Sequence, residues 1–282
     1  MTPVLPAYPV MPPVRPDIRL VAIDLDDTML REDCTISERC RQAIQNARAG
    51  GVAVTIATGR MYTATLPYAR ELAIDIPLIT YQGAMVIMTD GRLISHRILD
   101  QALSLELLDF LLPYGHHINM YIKDQIFIEN ASREAKKYGA RTGVYLQLVP
   151  GLRAFLLSLG GGVTKFTMAA TAEALLQVKR DVDDHFRGRI WTVLSRPTFL
   201  EFGRPDVNKG IALADLAKDM GIDREQVMAI GDSPNDLEMV TYAGWGIAMA
   251  NAEDCVKEKA RWVTASNEED GVAIALEMLV AR

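Results

Sequence analysis

Two aspartates separated by one residue, Asp24 and Asp26 in the string Asp24-Leu25-Asp26-Asp27-Thr28, close a short apolar run. Alternate side chains of an extended backbone point the same way, so both carboxylates can be aimed into one pocket. Such a pair suits nucleophilic and acid–base work, although by itself the string is also what an acid-rich turn looks like. Thr58-Gly59-Arg60 ends a second apolar run and offers a hydroxyl and an unobstructed backbone N–H, the donors a phosphate oxygen needs. Alone it would pass for a helix cap. Lys209, in Asn208-Lys209-Gly210, stands in the first turn of an expected helix. A cation there opposes the helix dipole, so its placement asks for an anion nearby. Gly231-Asp232-Ser233-Pro234-Asn235-Asp236 puts two more carboxylates and an amide in a tight turn after a third apolar run.

Gathering Asp24, Asp26, Asp232 and Asp236 has an electrostatic consequence. Two carboxylates about 4 Å apart repel by roughly 4 kcal/mol at an effective dielectric near 20, and four multiply that cost. A divalent cation relieves it. A donor set of oxygen alone, without His or Cys, selects magnesium or manganese over zinc.

The elements that must position these groups have two textures. Ile18–Leu25 reads as a buried parallel strand. Ser37 then caps a helix through Ala49, Val52–Ala57 forms a second strand, and Pro77–Thr80 a third. Alternating strands and helices define a parallel α/β unit, whose ligands bind beyond the carboxyl ends of the strands. After Gln82-Gly83 two apolar runs flank Asp90-Gly91, a hairpin signal foreign to parallel sheet. Expected helices at Gln101–Leu112 and Ala172–Phe186, with strands near Ile118–Ile122, Ile126–Ile128, Tyr145–Leu148 and Val163–Ala169, complete a mixed α+β unit. Parallel texture returns with the helix that Asn208 caps, strand Val227–Ile230, two further strands and a closing helix from Gly271. The expected organisation is a Pro-rich flexible tail over 1–17, an α/β core over 18–83 and 188–282, and an insert over 84–187. Linkers at Gln82–Met85 and Gly188–Arg196 would hinge it.

Taken in order, DLDDT, TGR, NKG and GDSPND resemble the four motifs of the haloacid dehalogenase superfamily of phosphotransferases. The α+β insertion between the second and third is similar to the C2B-type cap of the Cof-type IIB phosphatases, so the resemblance covers nearly all the chain beyond its Pro-rich start. It implies a Rossmann-like core with a cap, and a phosphatase acting on a small phosphorylated metabolite, a sugar phosphate or similar phosphomonoester. By the same resemblance Asp24 is the nucleophile that forms an aspartyl-phosphate, and Asp26 is the general acid and then the general base. Magnesium, with manganese as a substitute, is held by Asp24, the Asp26 backbone carbonyl and Asp232. Asp236 completes that site beside the ion or by orienting Lys209. Thr58, Gly59, Lys209 and Asn235 bind the phosphoryl oxygens, Thr58 and Lys209 sharing in catalysis. Gln82 stands where family members often carry Asn before Gly83.

Composition sets outer limits. The 282 residues are 49% apolar and 23% charged, values of a globular chain long enough for about two domains. A formal charge of −6 without a Lys/Arg block disfavours nucleic acid, and no apolar run reaches the roughly 18 residues that span a membrane. Cys34, Cys40 and Cys255 have neither disulfide nor zinc spacing and read as buried free thiols in a reducing cytoplasm. Six prolines in the first sixteen residues do not make a secretory signal. Asp181, Asp183, Asp184 and His185 read as a solvated helix face, and His116-His117 as packing. Two competitors to the phosphatase are a phosphomutase, in which a sugar hydroxyl intercepts the phosphoenzyme, and a silent binding module on the same fold. Oligomeric state is not legible.

Overall fold

A computed structural model describes residues 16–133, 135, 136, 139 and 143–279; the tail expected at 1–17 lies, for residues 1–15, outside them. The strands are β1 (Leu20–Ile23), β2 (Ala53–Ile56), β3 (Leu78–Thr80), β4 (Met85–Ile87), β5 (Leu93–His96), β6 (His117–Ile122) and β7 (Gln125–Ile128). They continue with β8 (Leu146–Leu148), β9 (Lys165–Ala169), β10 (Trp191–Arg196), β11 (Phe199–Gly203), β12 (Val227–Gly231), β13 (Trp245–Ala248) and β14 (Trp262–Val263). Helices α1 (Glu38–Ala49), α2 (Tyr62–Glu71) and α3 (Gln101–Leu111) are the first three.

The core is a parallel sheet of order β14-β13-β12-β1-β2. All four residues of β1 are buried, as a strand covered on both faces requires, and each such Val, Leu or Ile contributes about 1.5–3 kcal/mol by leaving water. Strand β1 has β2 on one side and β12 on the other, Ile23 pairing with both Ile56 and Ile230. The chain order thus reverses at β1, and the crevice beyond its carboxyl end is where an open α/β sheet binds its ligand. Ser37 caps α1 by accepting from the Cys40 N–H at 3.0 Å.

A second sheet, of order β10-β11-β9-β6-β7-β8, belongs to the insert. Its two faces follow the period-two alternation of strands. Met120, Phe166, Met168, Leu200 and Phe202 pack with Leu107, Leu108 and Leu111 of α3 and with Leu175, Val178 and Phe186 of the helix Ala172–Phe186. The residues between them, Tyr121, Lys165, Thr167 and Glu201, turn to the core.

Two expected boundaries move. The hairpin around Asp90-Gly91 stays with the core: β4 pairs antiparallel with β3 and β5 with β4, while an Ala57–Ile79 bridge continues the parallel sheet into β3. An edge strand accepts a neighbour of either direction, so the change of texture at Gln82 marks an edge and not a new unit. Residues 191–203, expected in a core resuming at 188, instead form β10 and β11, and β11 pairs with β9. The chain passes between the units at 97–100 and 204–208, so the linkers expected at Gln82–Met85 and Gly188–Arg196 are not the crossings. Among the described residues no helix is long and apolar enough to cross a membrane.

Candidate active site

Asp24 follows β1 directly, its N–H donating to the Ile230 carbonyl at 3.0 Å, so sheet pairing fixes its position. The chain then makes one wide turn, Leu25–Met29, closed by the Leu30 N–H on the Leu25 carbonyl at 2.9 Å. Asp27 takes a left-handed conformation within it (φ 58°). Thr28 is carried inward, where its hydroxyl donates to Asp232 Oδ1 at 2.7 Å.

Lys209 opens the helix Lys209–Asp219, which Asn208 caps by accepting from the Ile211 N–H at 2.7 Å. Its side chain is 0% exposed, and Nζ donates to Asp24 Oδ1 and Asp236 Oδ1, both at 2.5 Å. The anion that its place in the first turn asked for is therefore a pair of carboxylates. Asp236 Oδ2 accepts from the N–H groups of Asp232 and Ser233 at 3.0 and 3.1 Å, which fastens the β12 turn. Both oxygens of Asp236 are thus engaged by donors. Of the two roles open to it from sequence, orienting Lys209 is the one the geometry displays.

Carboxylate oxygens of Asp24, Asp232 and Asp236 lie within 4.8 Å of one another. Burial pushes the Asp24 carboxyl well above the ordinary range, with the Asp236 charge adding to it and Lys209 opposing. Burial, and then Asp236, push Asp232 up to about 7 against the Thr28 hydrogen bond. Burial alone would lower the Lys209 ammonium, but Asp236 and Asp24 outweigh it and hold the group above its usual value. Three carboxylates around one ammonium leave a negative, oxygen-lined cluster. That donor set fits a hard divalent cation.

Thr58 ends the second strand run, its N–H on the Ile79 carbonyl at 2.8 Å and its Oγ1 accepting from the Arg60 N–H at 3.1 Å. Gly59 leaves room for the Gln82 side chain, since a Cβ there would lie 2.3 Å from Gln82 Nε2 and the amide would have to move. Gln82 itself accepts from Asn235 Nδ2 at 3.1 Å through Oε1, tying the Tyr81–Gly83 turn to the loop after β12. Gly83 has φ +96°, and a Cβ would meet the Asn208 carbonyl at 2.3 Å, so this glycine lets the Lys209 segment approach.

The structure brings Asp24, Asp26, Thr58, Gly59, Asp232 and Asn235 to one cavity of about 140 Å³. Lys209 and Asp236 lie directly behind Asp24. Asp26 is at the same cavity, but its carboxylate is clasped by Arg60, with Nε on Oδ2 at 2.8 Å and Nη2 on Oδ1 at 2.7 Å. Burial works against the Arg60 charge, and the Asp26 pairing outweighs it.

Sequence reasoning missed Arg60 as a site residue, although it stands beside Gly59. It also missed the far wall, Tyr121, Lys165, Thr167, Ser195 and Glu201. Period-two alternation in β9 would have placed Lys165 and Thr167 on one face, but no sequence signal says which face meets the core. The residues set aside stay apart: Asp181 accepts from the Tyr114 hydroxyl at 2.7 Å, Asp183 from Lys179 Nζ at 2.7 Å, and His117 Nε2 pairs with Asn119 Oδ1 at 2.8 Å.

Residues 21–276 match the family model described as haloacid dehalogenase-like hydrolase. The chain belongs to that family, and within it to the phosphatases. It is 30% identical over 295 residues to the 5-amino-6-(5-phospho-D-ribitylamino)uracil phosphatase YwtE of Bacillus subtilis, covering 94% of this chain and 99% of that protein. A haloacid dehalogenase-like hydrolase from Bacteroides thetaiotaomicron superimposes with a TM-score of 0.83 at 29% identity, over 92% of this chain and 98% of that one. The fold is also that of the subclass IIB sugar phosphatase BT4131 (TM-score 0.80, 23% identity, 92% and 98% covered), which agrees with a capped α/β core.

Proposed function

We propose that this phosphatase hydrolyses a small phosphomonoester, a phosphorylated sugar or polyol, through an aspartyl-phosphate on Asp24 with the help of magnesium. The observation that carries the reading is the buried cluster of Asp24, Lys209, Asp232 and Asp236 facing a cavity that Thr58 and Gly59 also line. Asp24 attacks phosphorus, and the bond to the ester oxygen breaks as Asp26 supplies a proton to the departing alcohol. Water then gives a proton back to Asp26 as it attacks phosphorus, and Asp24 leaves with its carboxylate restored. Lys209, Thr58 Oγ1 and the Gly59 N–H stabilise the charge on the transferring oxygens, and phosphoryl transfer depends chiefly on such stabilisation. Asp24, Asp232 and the Asp26 carbonyl would hold the cation, with Asp236 anchoring Lys209. When bound, magnesium neutralises the clustered carboxylates and polarises the phosphoryl group. Arg60 has two duties: it holds Asp26 before substrate arrives, and a phosphate dianion competing for the guanidinium frees Asp26 to take up its proton.

The far wall supports the substrate class. Lys165, Thr167, Ser195 and Glu201 present donors and acceptors to the leaving group, which suits a chain of hydroxyls better than an apolar alcohol. The B. subtilis relative is named for a substrate carrying its phosphate on a ribityl chain. A cytoplasmic setting is part of the proposal, supported by three free cysteines; of the thiols expected to be buried only Cys40 is, while Cys34 and Cys255 are exposed. Phosphate release from a panel of phosphorylated metabolites, with magnesium and with chelator, tests it. Turnover of sugar or polyol phosphates that needs magnesium and vanishes in Asp24→Asn is the expected result. Turnover that survives in Asp24→Asn overturns the covalent route.

A further inference from the structure

Helix α2 starts two residues after Arg60, so whatever holds its first turn also holds the segment that faces the phosphate. Its own N-cap residue, Met61, has no side chain able to accept the first N–H groups. The acceptor comes from the insert. Asp124, at the tip of the β6–β7 hairpin, accepts from the Tyr62 N–H at 2.9 Å through Oδ1 and from the Thr63 N–H at 2.9 Å through Oδ2. The Thr63 hydroxyl also donates to Oδ2, and the Tyr81 hydroxyl to Oδ1 at 2.8 Å. One carboxylate thus performs, across the gap between the two units, the capping that a Ser or Asp at position 61 would perform within the helix.

The hairpin is built to deliver it. Ile122 pairs with Gln125, leaving Lys123 and Asp124 as a two-residue turn, and both are left-handed (φ 47° and 59°) without being Gly or Asn. Asp tolerates that conformation and Lys does not favour it, so the turn that presents Asp124 is set by the residue that makes the contact. A second grip lies beside the first: Lys165 Nζ donates to the Gly59 carbonyl at 3.0 Å and to Glu201 at 2.6 Å. Beside both, Met61, Tyr81 and Tyr121 share an apolar cluster with Ile126 and Ile128, which joins the two units on the buried side of a contact that is open to solvent at Thr63.

We infer that Asp124 is a positioning residue: docked on the first turn of α2, it holds Thr58–Arg60 in the geometry that binds the phosphoryl group, so the power of the core site depends on the seating of the insert. The inference rests on the phosphatase reading and adds a residue that touches neither phosphate nor leaving group.

Three variants and the wild type are compared well below their melting temperatures. Asp124→Ala is expected to lower kcat/KM about tenfold, the scale of one lost helix-cap interaction, by the same factor for p-nitrophenyl phosphate and for a sugar phosphate. Affinity for inorganic phosphate with magnesium should fall in parallel, and amide hydrogen exchange over residues 58–66 should quicken. Asp124→Asn, which keeps one acceptor oxygen, should fall between the two. Ser37→Ala removes the cap of α1 away from the site and should lower Tm while leaving turnover and phosphate affinity unchanged. Unaltered exchange over 58–66 and unaltered phosphate affinity in Asp124→Ala would overturn the inference, as would a loss confined to the sugar phosphate, which would make Asp124 part of leaving-group recognition. A wild type that hydrolyses no phosphomonoester would overturn the proposed function instead, and the exchange arm would still decide the role of Asp124.

Discussion

The two walls of the cavity are assembled by opposite means. On the core side each functional group sits within three residues of a strand end or helix start, and parallel pairing of β2, β1 and β12 brings those ends level. On the insert side the groups lie within strands, and antiparallel register sets them side by side: Tyr121 opposite Lys165, and Asn119 and Glu201 on either side of Thr167. The core wall is written in short strings that can be located one at a time. The insert wall exists only once four strands, β6, β9, β10 and β11, have found their register, so it can change its chemistry without disturbing the strings.

That contrast orders the expected losses. Asp24→Asn removes the nucleophile and should lower kcat by at least about a thousandfold, with single-turnover assays showing no phosphoenzyme. Lys209→Met should lower kcat by about 10²–10³, the cost of losing one donor to the transferring oxygens. It also leaves Asp24 and Asp236 buried without their cation, so Tm at neutral pH should fall by an amount equivalent to about 3–5 kcal/mol and recover in part in acid as Asp24, whose carboxyl burial already pushes up, protonates. A Lys209→Met protein with unchanged Tm and kcat would show that the core wall is not electrostatically strained.

On the insert wall, Glu201→Gln should reorder substrate preference while changing p-nitrophenyl phosphate turnover less than about tenfold, because that ester has no hydroxyls for the wall to read. Equal losses on every substrate would dissolve the distinction between the two walls. The smallest effect concerns pH and metal. Asp232 has its folded value raised to about 7 from an ordinary 3.8, so the folded state binds protons more tightly than the unfolded chain across that window. Stability of the metal-free protein should therefore be greatest below pH 4 from this group and decline by a few kcal/mol at most as pH rises toward 7. Magnesium should flatten the decline, as Tm against pH with chelator and with metal would reveal. A Tm that rises between pH 4 and 7 without metal, beyond what other carboxylates explain, would remove the cluster as a cation site.

The strings Asp24–Thr28, Thr58–Arg60, Asn208–Gly210 and Gly231–Asp236 are legible one at a time, because each needs only a local strand end, turn or helix cap to form. The parallel core was legible for the same reason: buried runs such as Leu20–Ile23 announce a strand by composition alone. What tertiary structure alone decided was every relation between distant segments. Whether the Asp90-Gly91 hairpin joined the core depended on the free edge of β3, and whether 191–203 joined the insert depended on the free edge of β9. The clasp of Asp26 by Arg60, the 34-residue reach that makes it, and the seating of Asp124 on a helix 62 residues away are hydrogen bonds between groups whose sequence positions say nothing of each other. Local propensity is settled within a few residues, but register and docking are settled by which apolar faces and polar groups remain to be satisfied after the local elements have formed.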